Sequence, residues 1–336
     1  MIAPVLSIVV IGRNEGQRLA RCLQSVGSIR GLAGDVELIY VDSNSSDGSP
    51  KLAETFGAKT IVLNAERPTA ALGREAGWRS ASADFVLFLD GDTVLQPEFA
   101  AKALDTMKTD ATIAAVWGKL REIHPEHSLY NRVLDLDWIF PVGEINLCGG
   151  NVLMRRRALE DAGGYDASLI AGEEPELCCR IRACGYRIFH IDVPMVGHDL
   201  GMTRFRQYWK RSVRTGHAYA EVSRRYRGSG QAFWERERVG NLIRGAFWSV
   251  SPLLSIALAI IFYSALPIVF WCCIFLSFSL RSAWGARWKS HDTVALLLYG
   301  MHSHFQQIPI ALGQVEFEYG LKQGRSKKLI EYKTSV

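Results

Sequence analysis

The sequence predicts an α/β fold for residues 1–203, a mostly parallel sheet covered by helices. Three observations carry this. Short β-rich runs alternate with stretches of helical spacing, the composition is globular at 48% apolar and 22% charged, and polar clusters follow the runs where parallel strands should end. The same composition excludes disorder, collagen-like repeats and small disulfide scaffolds. The 336 residues allow one large domain and a smaller region.

Residues 5–11 read as the first strand, and Leu19, Cys22, Leu23 and Val26 follow at helical spacing. A second strand is expected at 36–41. Ser49 and Pro50 then look like a cap and first turn opening a helix through Phe56. Strands at 60–63, 85–89, 114–116 and 186–191 continue the series, with helices at 69–81 and 97–107. Such alternation places ligands beyond the carboxyl ends of the strands. The residues there are Arg13, Asn14 and Glu15, then the run Asp42 to Gly48, then Asp90, Gly91 and Asp92. The second cluster is not an EF-hand loop, because Asp47 and Ala53 stand where that loop needs Gly and Glu.

Asp90 and Asp92 give the sharpest chemical signal. Carboxylates at i and i+2 project to one side of an extended segment, and the intervening Gly91 permits a turn close to a ligand. Hard oxygen donors of this kind suit Mg²⁺ or Mn²⁺ shared with a diphosphate.

Seven scattered cysteines, none in a CxxC pair, point to reduced thiols in a cytoplasmic setting. No secretory leader is expected, since the run at 5–11 has no basic region before it and no small-residue cleavage site after it. The opposite end differs, for the 36 residues between Arg244 and Arg281 contain no Asp, Glu, Lys or Arg. At ~1.5 Å per residue one helix would be about 54 Å long, against a hydrocarbon core of about 30 Å. Two spans of roughly 17 residues bent near Pro267 fit better. Basic flanks on both sides return the chain to the cytoplasmic face.

The net charge of +5 is local: 200–244 holds eleven Lys/Arg against three Glu, a sum of +8. Within it Phe205, Tyr208, Trp209 and Val213 recur at helical spacing among Arg206, Lys210, Arg211 and Arg214. An interfacial helix on an anionic membrane needs this pattern, and a plain solvated basic helix is the alternative. Nucleic acid is not an expected partner, because no recognition module accompanies the charge. The expected organisation is therefore a sheet domain at 1–203, basic amphipathic helices at 204–246, a transmembrane hairpin at 247–281 and a membrane-proximal segment at 282–336.

Five motifs in order carry a resemblance: Ser7 to Glu15 (SIVVIGRNE), Val41 to Asp47 (VDSNSSD), Phe88 to Asp92 (FLDGD), Cys148 to Arg155 (CGGNVLMR) and Gly172 to Arg180 (GEEPELCCR). The chain resembles the inverting family 2 glycosyltransferases of the GT-A fold, of the bacterial membrane-associated type, over residues 3–225. The resemblance implies that Glu15 and Asp42 lie around the nucleotide base and ribose and that Arg74 approaches the diphosphate. Asp92 would bind the metal, and Asp90 would assist through the ribose or the metal shell. His198 matches a position where many members supply a further metal ligand, though a loop histidine with one hydrogen bond fits the sequence too. The catalytic base is expected from Glu173 and Glu174, with Glu174 preferred; members usually show Glu-Asp here.

Asn151, Trp138, Arg206 and Trp209 are weaker candidates for acceptor or diphosphate contacts. Trp138 and Phe140, in the insert 122–147, suit stacking on a sugar or a place in the core equally. Gln207 to Arg211 does not reproduce the Gln-x-x-Arg-Trp element of processive synthases. The function expected is transfer of a sugar from a nucleotide-diphosphate donor, a UDP-sugar, to a lipid-linked or polysaccharide acceptor at the cytoplasmic membrane, with membrane lipids as further partners. The rivals are a polyprenyl-phosphate sugar synthase and a non-catalytic membrane scaffold.

Overall fold

The computed structural model describes residues 3–229 and 232–324. These pack as two compact units, one formed by 3–123 with 138–200 and the other by 124–137 with 201–324. The end of the expected C-terminal segment, 325–336, lies outside the described residues.

In the first unit the chain runs β1 (Leu6–Gly12), α1 (Gln17–Val26), β2 (Val36–Asp42), α2 (Ser49–Thr55), β3 (Lys59–Val62), α3 (Ala70–Ser80), β4 (Phe85–Asp90), β5 (Thr93–Leu95), α4 (Phe99–Thr109) and β6 (Ile113–Glu122). After a segment that belongs to the other unit, it resumes with β7 (Gly143–Glu144), β8 (Val152–Arg155), α6 (Arg156–Asp161), α7 (Glu173–Ala183) and β9 (Arg187–His198). The strand order is β3-β2-β1-β4-β8-β6-β9-β5, with β7 beside β9.

The half from β3 to β4 is parallel, as strand-helix alternation requires. Its central strand reads as a continuous apolar run because both faces are covered: Leu6, Ile8, Val9 and Val10 are all 0% exposed. Beyond β4 the sheet is mixed. There β8 is antiparallel to β4 and β6, β6 is parallel to β9, and β5 and β7 are antiparallel to β9. β6 and β9 also extend well past the short strands that apolar runs predict. Each supplies the other's backbone partners as far as Glu122 opposite His198, through Lys119 and Arg121.

The second unit is helical. A 3-10 turn (Pro125–His127) and α5 (Leu129–Asp137) join α8 (Phe205–Tyr226), α9 (Glu235–Ile261), α10 (Leu266–Gly285), α11 (Thr293–Phe305) and α12 (Gln307–Lys322). α9 and α10 are long and apolar enough to cross a membrane. The break between them falls at 262–265, and Pro267 sits in the first turn of α10, where its missing N–H is not needed. α9 begins at Glu235, so the boundary expected at 246/247 falls inside one continuous helix. Apolar side chains line this hairpin openly, with Leu253, Ile260, Leu266 and Phe270 each more than two-thirds exposed.

The apolar stripe of α8 is not an open interfacial face. Tyr208 and Val213 are buried, and Trp209 is half-buried. The Tyr208 hydroxyl meets Nδ1 of His302 at 2.8 Å, and the Trp209 ring packs 6.3 Å from that of Phe305. Gly216 and Gly313 let α8 and α12 approach so closely that a methyl at either would lie 2.0 or 2.1 Å from a carbonyl oxygen of the facing helix. Of the four stripe residues, Phe205 alone is exposed, at 49%. The periodicity was satisfied by another helix, and removal of the chain from 247 onward would uncover α8.

Candidate active site

The loops after β1 and β2 interlock at the carboxyl edge of the parallel half. Asn14 donates its backbone N–H to Oγ of Ser45 at 2.8 Å and accepts at Oδ1 from the N–H of Ser46 at 2.8 Å, and Gly16 donates to Oδ2 of Asp47 at 2.9 Å. Asp42, fully buried, accepts from the Tyr40 hydroxyl at 2.9 Å and from the N–H of Ser45 at 2.7 Å. Glu15 is buried as well and pairs with Arg18 at 2.9 Å.

At the end of β4 the backbone turns through Gly91 and Asp92 instead of staying extended. The two carboxylates consequently have different partners. Asp90 accepts at Oδ1 from Nη2 of Arg74 at 2.7 Å, and its backbone N–H donates to Oδ1 of Asn151 at 3.0 Å. Asp92, 2% exposed, lies with Oδ2 3.4 Å from Nε2 of His198. Pairing of β5 with β9 sets Thr93 opposite His198, which fixes this neighbourhood. Nδ1 of His198 lies 3.8 Å from Oε2 of Glu122, and the Trp138 ring packs 4.7 Å from the imidazole. His198 thus stands between two buried carboxylates.

Carboxylate and imidazole donors suit Mn²⁺ and are tolerable to related divalent ions. Two donors of one octahedral ion lie about 3 Å apart when each bond is near 2.1 Å. The Asp92 and His198 atoms are close to that spacing, so this pair fits a divalent ion.

Arg74 does not reach an open anion site; carboxylates enclose it. Its guanidinium, 3% exposed, contacts Asp90, Oε1 of Glu173 at 3.0 Å and Oε1 of Glu174 at 2.9 Å. Glu173 and Glu174 open α7, after Gly172 has turned the backbone with φ 84°. Glu174 is 17% exposed on its side chain. Burial, and next the charge of Glu173, push its carboxyl up to about 7 against the opposing pull of Arg74. A carboxylate with this basicity can accept a proton at neutral pH.

Gly150 closes the cradle. A methyl there would lie 2.0 Å from Nη2 of Arg74 and 2.9 Å from Oε1 of Glu174. Gly150→Ala should therefore displace the guanidinium and lower turnover by about tenfold or more while Tm falls by only a few degrees. Kinetics beside thermal unfolding tests this, and unchanged turnover would show that the cradle is dispensable. Behind it, the thiols of Cys148 and Cys178 lie 3.4 Å apart. Their contact and their burial hold the Cys148 thiol well above its usual range.

Glu15, Asp42, Arg74, Asp90, Asp92, Asn151, Glu173, Glu174, His198 and Trp138 all lie in the first unit. Arg206 and Trp209 belong to the second. Sequence reasoning missed Glu122 and Gly150. The only signal for Glu122 was its place at the end of a strand longer than its apolar core; for Gly150 it was the Gly-Gly pair before Asn151.

A sheet with a parallel half, acidic strand ends and a buried acidic helix start is the arrangement of a GT-A-like fold. Residues 7–163, just under half of the chain, match the family model "Glycosyl transferase family 2". The chain is 22% identical over 194 residues to glycosyltransferase AglE of Haloferax volcanii, an alignment covering 55% of this chain and 64% of AglE. It is 26% identical over 239 residues to the O-antigen chain rhamnosyltransferase WbaN of Salmonella anatum, covering 65% of this chain and 76% of WbaN. Among solved structures, a mannosyltransferase of Pyrobaculum calidifontis, described in complex with GDP-Man and Mn²⁺, superposes with TM-score 0.67 at 16% identity. That superposition covers 94% of this chain and 88% of that one.

Proposed function

We propose that the protein is a membrane-associated, metal-dependent inverting glycosyltransferase. It transfers a sugar from a nucleotide-diphosphate donor to a hydroxyl of a lipid-linked or polysaccharide acceptor at the cytoplasmic face. Glu174 is the observation that carries this reading, a carboxylate pushed up to about 7 and held against Arg74 at the start of α7. Inversion needs a base that removes the acceptor's proton as its oxygen attacks the anomeric carbon, opposite the departing diphosphate. Glu174 would take that proton. Arg74 would fix the carboxylate's position and bind Asp90 and Glu173 so that three acidic groups share one small region.

The interlocked loops with Glu15 and Asp42 would hold the nucleoside. Asp92 and His198 would hold the divalent ion, whose charge stabilises a leaving diphosphate when it is bound. Trp138, beside His198, would border the sugar.

The donor is a UDP-sugar on the family resemblance, and the GDP-Man in the Pyrobaculum structure makes GDP-sugars the second class to assay. The O-antigen activity named for WbaN supports a polysaccharide or lipid-linked acceptor. A polyprenyl-phosphate sugar synthase is the rival within the class. Its acceptor is already an anion and needs no base, so the raised carboxyl of Glu174 favours a hydroxyl acceptor. The openly apolar α9 and α10 support insertion in a membrane.

One experiment tests both parts. Membranes carrying the full chain are washed with high salt and alkaline carbonate, then given UDP- and GDP-sugars with and without Mn²⁺. The chain should stay in the pellet, and one sugar should pass into lipid-extractable or polymeric product only with the metal. Release of the chain by the wash would overturn the membrane assignment. Absence of donor consumption across the panel would favour a non-catalytic scaffold.

A further inference from the structure

We propose that His124, Glu126 and His127 form a site for a borderline transition-metal ion of the Zn²⁺ class. The three residues open the second unit, on the 3-10 turn between β6 and α5, and none takes part in the proposed sugar transfer. Their ligand atoms all lie within 4.8 Å of one another. Nδ1 of His124 lies 3.5 Å from Oε1 of Glu126, and Nε2 of His127 lies 3.4 Å from the same oxygen. Donors of one tetrahedral Zn²⁺ with bonds of about 2.0–2.1 Å are separated by about 3.3–3.4 Å. The spacing suits one ion, and because a metal lies in the plane of each imidazole it binds, the two parallel exposed rings turn about their side-chain bonds to share it.

The backbone beneath these side chains is fixed. Pro125 sets the first position of the turn, and the N–H of His127 donates to the carbonyl of His124 at 3.2 Å. Nδ2 of Asn131, itself 1% exposed, donates to that carbonyl at 3.1 Å. The two imidazoles are stacked at 4.3 Å with only 3° between their planes, so both rings rise from one side of the turn. Side-chain exposures of 43%, 66% and 57% in chain order leave a path for the ion and a fourth position for water.

Two nitrogens and one oxygen favour Zn²⁺, Co²⁺, Ni²⁺ or Cu²⁺ over Mg²⁺. The Asp92 pair also offers an imidazole, so binding is measured in the Asp92→Asn background, which removes that pair. The detergent-solubilised full chain, stripped with chelator, is titrated with Zn²⁺ by calorimetry and with Co²⁺ by visible absorption. Mg²⁺ at roughly millimolar concentration keeps oxygen-rich sites occupied. One Zn²⁺ per chain should bind with a Kd on the order of micromolar, and Co²⁺ should give the strong visible bands of a tetrahedral ion. H124A and H127A should each weaken Zn²⁺ binding by about tenfold or more, and E126Q by a similar factor. Sugar transfer with Mn²⁺ should stay at its starting rate in H127A with Asp92 intact. Absence of Zn²⁺ binding in the Asp92→Asn background, or any one variant binding as tightly as that protein does, would overturn the three-ligand site.

Discussion

Glu174→Gln should lower turnover by about 10²- to 10⁴-fold, the usual contribution of a positioned base, while donor binding changes little. Place and basicity together set this size of loss. The carboxyl lies against Arg74 and is pushed up to about 7 by burial and by Glu173. A base works only when deprotonated, so turnover of the starting protein should rise with pH through about 7, and the Gln variant should lose this limb. Stability moves the other way. The folded-state value lies above the unfolded one, so the folded protein keeps this proton while the unfolded chain releases it. Stability should fall as pH rises from about 4.5 to about 7. Glu174→Gln should flatten that slope. Steady-state kinetics and thermal unfolding across this range check both effects. A variant with normal turnover, alongside a Glu173→Gln that loses it, would move the role to Glu173.

Asp92→Asn should abolish the metal dependence and cost about 10²-fold or more in rate, because a bound divalent ion contributes several kcal/mol of charge stabilisation in transfers of this kind. The change is isosteric at a side chain 2% exposed, and the β5 to β9 pairing that places His198 does not depend on the charge. The measurement is the rise of Tm when Mn²⁺ and the nucleoside diphosphate are added together, set beside a Mn²⁺ titration of turnover. The starting protein should show both responses and the variant neither. Near-normal turnover of the variant with Mn²⁺ would remove the metal assignment from Asp92. His198→Ala should follow the same pattern, since its Nε2 lies 3.4 Å from Asp92.

Much of the first unit was legible because its signals are local. The apolar run of β1 marks a strand covered on both faces, and the polar groups after β1, β2 and β4 mark the edge where those strands end. The apolar hairpin was legible for a similar reason, since 36 residues without a formal charge have few soluble solutions. The far half of the sheet was less so. β6 and β9 continue through Lys119, Arg121 and Asp192, residues that announce no strand, because each strand satisfies the other's backbone groups. The stripe of α8 misled for a different reason: a period of 3.6 states that one face is covered and not by what.

The parallel half of the sheet, its acidic edge and the apolar hairpin are therefore each written in contiguous residues. What those groups meet depends on partners distant along the chain. Arg74 was expected at a diphosphate, yet it is bound by Asp90 and by Glu173, 16 and 99 positions away along the chain. Asp92 and His198 meet because β5 pairs with β9. Propensity and periodicity act over a few residues, whereas burial that raises a carboxyl and ion pairing that fixes it act through space. The basicity of Glu174 exists only once the chain has folded around it.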